Sequence, residues 1–183
     1  MKKLIALFLA CAFALALAAC GGGPPTPTGN GSTQPTARPD PGATQDIYFA
    51  PGGVRLEIGA PPAPALEALE GVFGEPLDER DCPSCALQAK DIDYRYDGFV
   101  LTVTYPEKGD DYITGIKFTG DKYATPGGIT IGSTPEEVFA AYGTDYRENN
   151  GHYYYAKELS VLHFAIVNGK VKQIAYEYDW DNA

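Results

Sequence analysis

The sequence predicts an α+β domain. Two units, each of strand, helix and three-strand meander, form one antiparallel sheet with two short helices on one face. Three observations predict it. The dipeptides Asp97-Gly98 and Asn168-Gly169 each lie between alternating apolar runs, the strongest short-range hairpin signal. Two stretches with helical apolar spacing are bracketed by glycines, Ile58-Gly59 to Phe73-Gly74 and Ile131-Gly132 to Tyr142-Gly143. The same order of elements then occurs twice, over about residues 46–119 and 128–180. The 13 tyrosines, against one Met and one Trp, fit a pleated sheet better than a helical bundle.

Each element has a local reason. Ile47–Ala50 reads as an extra strand that pairs with the alternating run Val54–Ile58. Ala63–Phe73 follows as a helix, with Leu66, Leu69 and Phe73 on one face and Gly74 as its stop. Three strands come next, Ile92–Tyr96, Phe99–Tyr105 and Tyr112–Phe118, with a longer turn over 106–111. In the second unit, Gly128–Gly132 alternates as a short strand. Thr134-Pro135-Glu136-Glu137 then sets Thr at the N-cap, Pro at the first helical position and Glu at the third, a capping box. Val138, Ala141 and Tyr142 make the helix stripe, and Gly143 ends it. His152–Ala156, Ser160–Val167 and Val171–Tyr178 complete the meander.

The chain of 183 residues is not all domain. Met1-Lys2-Lys3 is a positive start, and Leu4 to Ala19 is an unbroken apolar run of about 16 residues, short for a spanning helix and right for a signal segment. It ends in Leu17-Ala18-Ala19-Cys20-Gly21, small residues before a cysteine, which resembles the lipobox of bacterial lipoproteins. That resemblance implies cleavage after residue 19, lipid on Cys20 and residence on the extracytoplasmic face of the cell membrane. Acyl chains, palmitate among them, would hold it there, two or three far better than one. Residues 20–45 carry no aromatic and no aliphatic side chain larger than Ala, so they read as a disordered linker spanning roughly 25–30 Å as a flexible coil. Residues 46–183 remain for the domain, enough for one sizeable core. Loss of Lys2 and Lys3 takes the net charge from −10 to −12. So acidic a chain is a poor partner for nucleic acid, and none is expected.

The tandem of short helix and antiparallel meander resembles the β-lactamase-inhibitor-protein-like fold. The small lipoprotein of the outer-membrane barrel-assembly machinery is similar to one such unit. Pro83-Ser84-Cys85-Ala86, Tyr94-Arg95-Tyr96, Gly98-Phe99, Thr104-Tyr105-Pro106 and the run from Thr125 to Ser133 look like those of uncharacterised Firmicute-type cell-surface lipoproteins. The inhibitor resemblance implies protein binding through the open face of the sheet. It implies no catalytic residue and no inhibition of a lactamase in particular.

Chemistry-bearing residues are few. Cys82-Pro83-Ser84-Cys85 is a CxxC, open to four readings: a disulfide, free thiols, a redox pair or half a zinc site. Its place in a loop after Gly74 favours the Cys82–Cys85 disulfide, because a redox pair ordinarily opens a helix and zinc needs two more ligands. The only histidines are His152 and His163, the latter on the strand face opposite Leu162 and Phe164, with no nucleophile set beside either. The carboxylates are scattered, and no phosphate loop occurs. No catalytic residue, metal or cofactor is therefore expected, and the protein is read as not an enzyme. Tyr153, Tyr155, Tyr176, Tyr178 and Trp180 form the candidate binding surface, since Tyr and Trp combine rigid contact area with a polar tip. The leading expectation is a binding module for an envelope protein or a small ligand. A thiol–disulfide oxidoreductase using the CPSC motif and a structural envelope lipoprotein are the alternatives.

Overall fold

A computed structural model describes residues 46–84 and 89–182. The expected signal, the lipid site Cys20, the linker and Cys85 lie outside the described residues. Helix α1 (Pro62–Phe73) precedes strands β1 (Asp78–Ser84), β2 (Ala89–Tyr96), β3 (Phe99–Pro106) and β4 (Tyr112–Phe118). Helix α2 (Pro135–Tyr142) precedes β5 (Arg147–Asn149), β6 (His152–Lys157), β7 (Ser160–Val167) and β8 (Lys170–Tyr178). All eight strands join one antiparallel sheet in the order β1-β2-β3-β4-β8-β7-β6-β5. The two meanders thus meet through their last strands, where Ile116 lies opposite Tyr176.

The expected fold class holds, and its details shift. Each meander has four strands, not three: β1 and β5 form the two outer edges. The runs Val54–Ile58 and Gly128–Gly132 are not strands of the sheet. The first keeps only a bridge between Phe49 and Leu56. The chain at the end of each run instead clasps the last strand of its own meander. Gly59 N–H donates to Ile113 O and Ile113 N–H to Ala60 O, at 2.8 and 3.0 Å. Gly132 N–H donates to Val171 O and Val171 N–H to Ser133 O, both at 2.8 Å. Beside each clasp lies a bulge. The register slips between Thr102 and Val103 over Thr114, and between Ala165 and Ile166 over Lys172. An extra residue bends the strand and re-aims the side chains beyond it.

Both helices pack on one face. Leu69 of α1 and Val138 of α2 are wholly buried among Phe99, Leu101, Phe164 and Ile174. Full burial of such a leucine is worth about 1.5–3 kcal/mol. The capping box forms as the spacing predicts: Thr134 N–H donates to Glu137 Oε2 at 2.7 Å, and Glu137 N–H donates to Thr134 Oγ1 at 3.3 Å. Gly74 and Gly143 end the two helices at φ 77° and 80°, a left-handed backbone that glycine adopts without strain. Phe49 bridges the two halves, its ring 4.7 Å from Phe118 and 6.1 Å from Tyr176.

One expectation is corrected here. The Cys82–Cys85 disulfide expected in a loop is not found: Cys82 is a free thiol and lies within strand β1. Among the described residues no helix is long and apolar enough to cross a membrane.

Candidate functional site

The aromatic surface expected from the sequence does not gather on the open face. Tyr155 and Tyr176 are buried in the core, on the helix side of the sheet. The Tyr155 hydroxyl donates to Gly143 O at 3.0 Å, and its ring lies 5.5 Å from Tyr142 of α2. Burial pushes both phenols up in pKa, Tyr176 most strongly. Tyr153 is half-buried on the same side, packed on Phe139 and Tyr146 at 5.4 and 5.1 Å. Tyr178 sits between Tyr112 and Trp180, at 5.3 and 4.7 Å, and of the five only Trp180 is exposed. Period-two alternation explains the correction: Tyr153 and Tyr155, like Tyr176 and Tyr178, share parity with the core positions Phe164 and Ile174 through the register.

Alternation also delivers Tyr154 to the opposite face. There it lies across from His163, whose imidazole stacks on the phenol ring at 4.5 Å and 16°. Arg147 on the edge strand β5 lies across from Tyr154 on its other side, its guanidinium carbon 4.9 Å from the ring centre. This is a cation–π contact of about 0.5–1 kcal/mol at an exposed site. His152, two residues before Tyr154, turns its Nδ1 to His163 Nε2 at 2.8 Å. The other nitrogen of His163, Nδ1, meets Glu177 Oε1 of β8 at 3.1 Å. The bulge at Lys172 sets this register: it brings His163 opposite Ala175, so that Glu177 shares its face.

Beside this cluster is a cleft of about 240 Å³. Ala156 and Val161 line it together with Tyr154, Arg147, Asp179 and Asp181. Asp179 is buried because it organises the C-terminal turn, accepting from Asp181 N–H at 3.2 Å and Asn182 Nδ2 at 2.8 Å. A larger cleft, about 330 Å³, lies away from the histidines between α1 and β2, and is walled by Glu70, Glu75, Glu79 and Tyr94. The cluster on the open face is the more distinctive chemically, because it unites a stacked aromatic, two imidazoles, a carboxylate and a guanidinium.

No family model, curated protein or solved structure matches this chain. The geometry of the site alone therefore carries its functional reading. Among the described residues no group of three or more His, Cys, Asp and Glu side chains is arranged to hold a metal ion. The two imidazoles face each other at hydrogen-bond distance, and Glu177 binds the far nitrogen of His163. Among the described residues no serine or threonine is hydrogen-bonded to either histidine.

The other sequence candidate, Cys82, sits near Asp91 and Asp93, with its sulfur 3.9 Å from Asp93 Oδ2. Burial and the Asp93 charge push its thiol pKa up. That is the reverse of what a redox cysteine needs, since the thiolate is the reacting species. Sequence reasoning placed His163 on the right face and missed Arg147 and Tyr154 as its neighbours. The signal lay in the alternation of β6: Tyr153 and Tyr155 take the core, which leaves His152 and Tyr154 together outside.

Proposed function

We propose that the domain is a binding module that docks a protein partner on the open face of its sheet, centred on Tyr154. One observation carries the reading. Both helices pack on the opposite face, and the face they leave open holds the Arg147–Tyr154–His163 stack beside an apolar cleft. At about 240 Å³ the cleft falls below the ~300–1,000 Å³ of ordinary small-molecule pockets and is of a size for one side chain. An apolar or aromatic side chain of the partner fits against Ala156 and Val161. A carboxylate on the partner beside it would meet Arg147, and a cation would meet Asp181.

The sheet edges support docking on the face instead of strand addition. Strand β5 has three residues, all exposed, and β1 reads Asp-Glu-Arg-Asp-Cys-Pro-Ser. Short, charged and proline-bearing edges discourage pairing with another chain. The resemblance to the inhibitor fold points the same way, toward protein binding by the open face.

The test is affinity capture from the cells that make the protein, with wild type and three variants in parallel. Tyr154→Ala and Arg147→Ala should lose the partner that wild type retains, Tyr154→Ala by a factor of about 30 or more if it is a hot spot of 2 kcal/mol. Tyr153→Ala, on the helix side, should retain it. A partner kept by Tyr154→Ala and lost by Tyr153→Ala would place the binding surface elsewhere.

A further inference from the structure

The hydrogen-bonded chain beneath Tyr154 has a fixed direction. Glu177 is a carboxylate and only accepts, so the proton of neutral His163 sits on Nδ1. Nε2 of His163 is then a lone pair, and Nδ1 of His152 must carry the proton between the rings. Nε2 of His152 is left as the free base of the chain. A first proton goes there. It creates an imidazolium that still donates to His163, one ring away from the negative charge of Glu177.

Of the two rings, only Nε2 of His163 is left to take a second proton. That atom already accepts from His152, so two N–H groups would meet head to head across 2.8 Å. The bond becomes a repulsion, and the rings must part. His163 cannot yield easily: its side chain is 6% exposed, Glu177 holds its Nδ1 and Tyr154 covers its ring. His152 can yield. It is half-buried at the start of β6, and beyond it lies only the three-residue edge strand β5. The charged groups around the pair pull both ways: Arg147 and Lys117 act against a second positive charge, whereas Glu177, with Asp179 and Asp181 of the cleft that Tyr154 lines, acts for it. Arg147 of β5 lies over Tyr154, and Lys117 of β4 shares the cross-strand row of His163 through Ala175. Glu177 of β8 is the one carboxylate, among the described residues, hydrogen-bonded to either ring. When His152 leaves, Tyr154 loses the second of its two stacked imidazoles, now 6.3 Å away at 16°.

We infer that Glu177, His163 and His152 form a proton-operated latch under Tyr154, closed with up to one proton on the imidazole pair and opened by the second, so that mild acid releases the docked partner. The release of a partner rests on the binding reading above; the latch itself does not.

The experiment follows the imidazole and Tyr154 resonances of the full chain by NMR from pH 8 to pH 4. Two linked protonation steps are expected, with the Tyr154 ring resonances moving in the second step only. In His152→Ala, a substitution at a half-buried position outside the core, His163 should titrate in a single step. Two histidines that titrate independently with one midpoint, or a Tyr154 ring indifferent to the second step, would overturn the latch. Capture of the partner at pH 7 and pH 5 is the separate arm. Wild type should release it at pH 5, whereas His152→Ala should show no such dependence on pH. Two linked steps without any captured partner would sink the docking reading and leave the latch standing.

Discussion

Removing one hydroxyl from Tyr176 should make the protein more stable, and removing one from Tyr155 should make it less so. The two tyrosines occupy neighbouring core positions and differ in how the hydroxyl is satisfied. Tyr155 donates to Gly143 O at 3.0 Å. The Tyr176 hydroxyl is buried and has no hydrogen-bond partner. An unpaired buried polar group costs about 1–3 kcal/mol, and replacing it by an apolar group of the same shape removes that cost. The void left by Tyr176→Phe, roughly 10 Å³ at about 24 cal/mol per Å³, costs only about 0.2 kcal/mol. The net expectation is a gain of about 1 kcal/mol or more, seen as a rise in Tm of roughly 3–6 °C for a domain of this size. Tyr155→Phe orphans a carbonyl at the end of α2 and should cost about 1–2 kcal/mol. Thermal and urea unfolding of both variants provide the assay. The sign with pH sharpens it. Burial holds the Tyr176 pKa far above its usual value, so its protonated state is maintained in the folded protein while the unfolded chain ionises near pH 10. Stability is therefore full below about pH 10 and falls above it, by about 1.4 kcal/mol per pH unit for this group. Tyr176→Phe should lose less stability in that range than wild type. A Tm below that of wild type at pH 7 would refute the reasoning and show that the hydroxyl has a partner, such as a buried water.

Thr134→Ala removes the side-chain half of the capping box, the bond that Glu137 N–H donates to Thr134 Oγ1, and should cost about 1 kcal/mol by urea titration. Leu69→Ala, at a wholly buried position, should cost about 2–5 kcal/mol, whereas Leu77→Ala, exposed just before β1, should stay within about 0.5 kcal/mol of wild type. Cys82 should react with iodoacetamide at neutral pH more slowly than a free peptide thiol, as followed by fragmentation of the tryptic peptide 81–90, which tells it from Cys85, because its raised pKa leaves less thiolate; rapid modification would contradict the burial beside Asp93.

Local rules made much of the fold legible. Asp97-Gly98 and Asn168-Gly169 form the turns that their composition predicts, and Thr134, Pro135 and Glu137 start α2 as their spacing requires. The two missed strands share one cause. Edge strands are written to look unlike strands: Asp78–Ser84 and Arg147–Asn149 carry charge and proline where an inner strand carries Val or Ile. The two alternating runs misread as strands were misread for the opposite reason. Val54–Ile58 and Gly128–Gly132 alternate because one side faces the core, yet neither joins a ladder: the chain at its end, Gly59-Ala60 or Gly132-Ser133, clasps Ile113 or Val171. The site was less legible because it depends on a bulge. Counting outward from the Asn168-Gly169 turn without one pairs His163 with Ile174, which would turn Glu177 toward the core. The extra residue at Lys172 restores the pairing with Ala175. No turn signal or apolar period announces that single-residue slip.

The two halves of the sheet separate what the fold demands from what it merely carries. Taking the matched bulges as origin, Ile113 corresponds to Val171, Ile116 to Ile174, Phe118 to Tyr176, Leu101 to Phe164 and Tyr96 to Tyr155. All of these belong to the shared core, and each pair is apolar or aromatic in both halves. The same origin matches His152 to Asp93, Tyr154 to Arg95 and His163 to Val100 on the open face. In the first half that region holds a different polar set, with Thr102 Oγ1 donating to Asp93 Oδ1 at 2.7 Å and Thr104 Oγ1 to Asp91 Oδ1 at 2.6 Å. One scaffold therefore tolerates either decoration. Neither the sheet nor its bulges require two histidines stacked beneath a tyrosine, so the fold alone does not account for them.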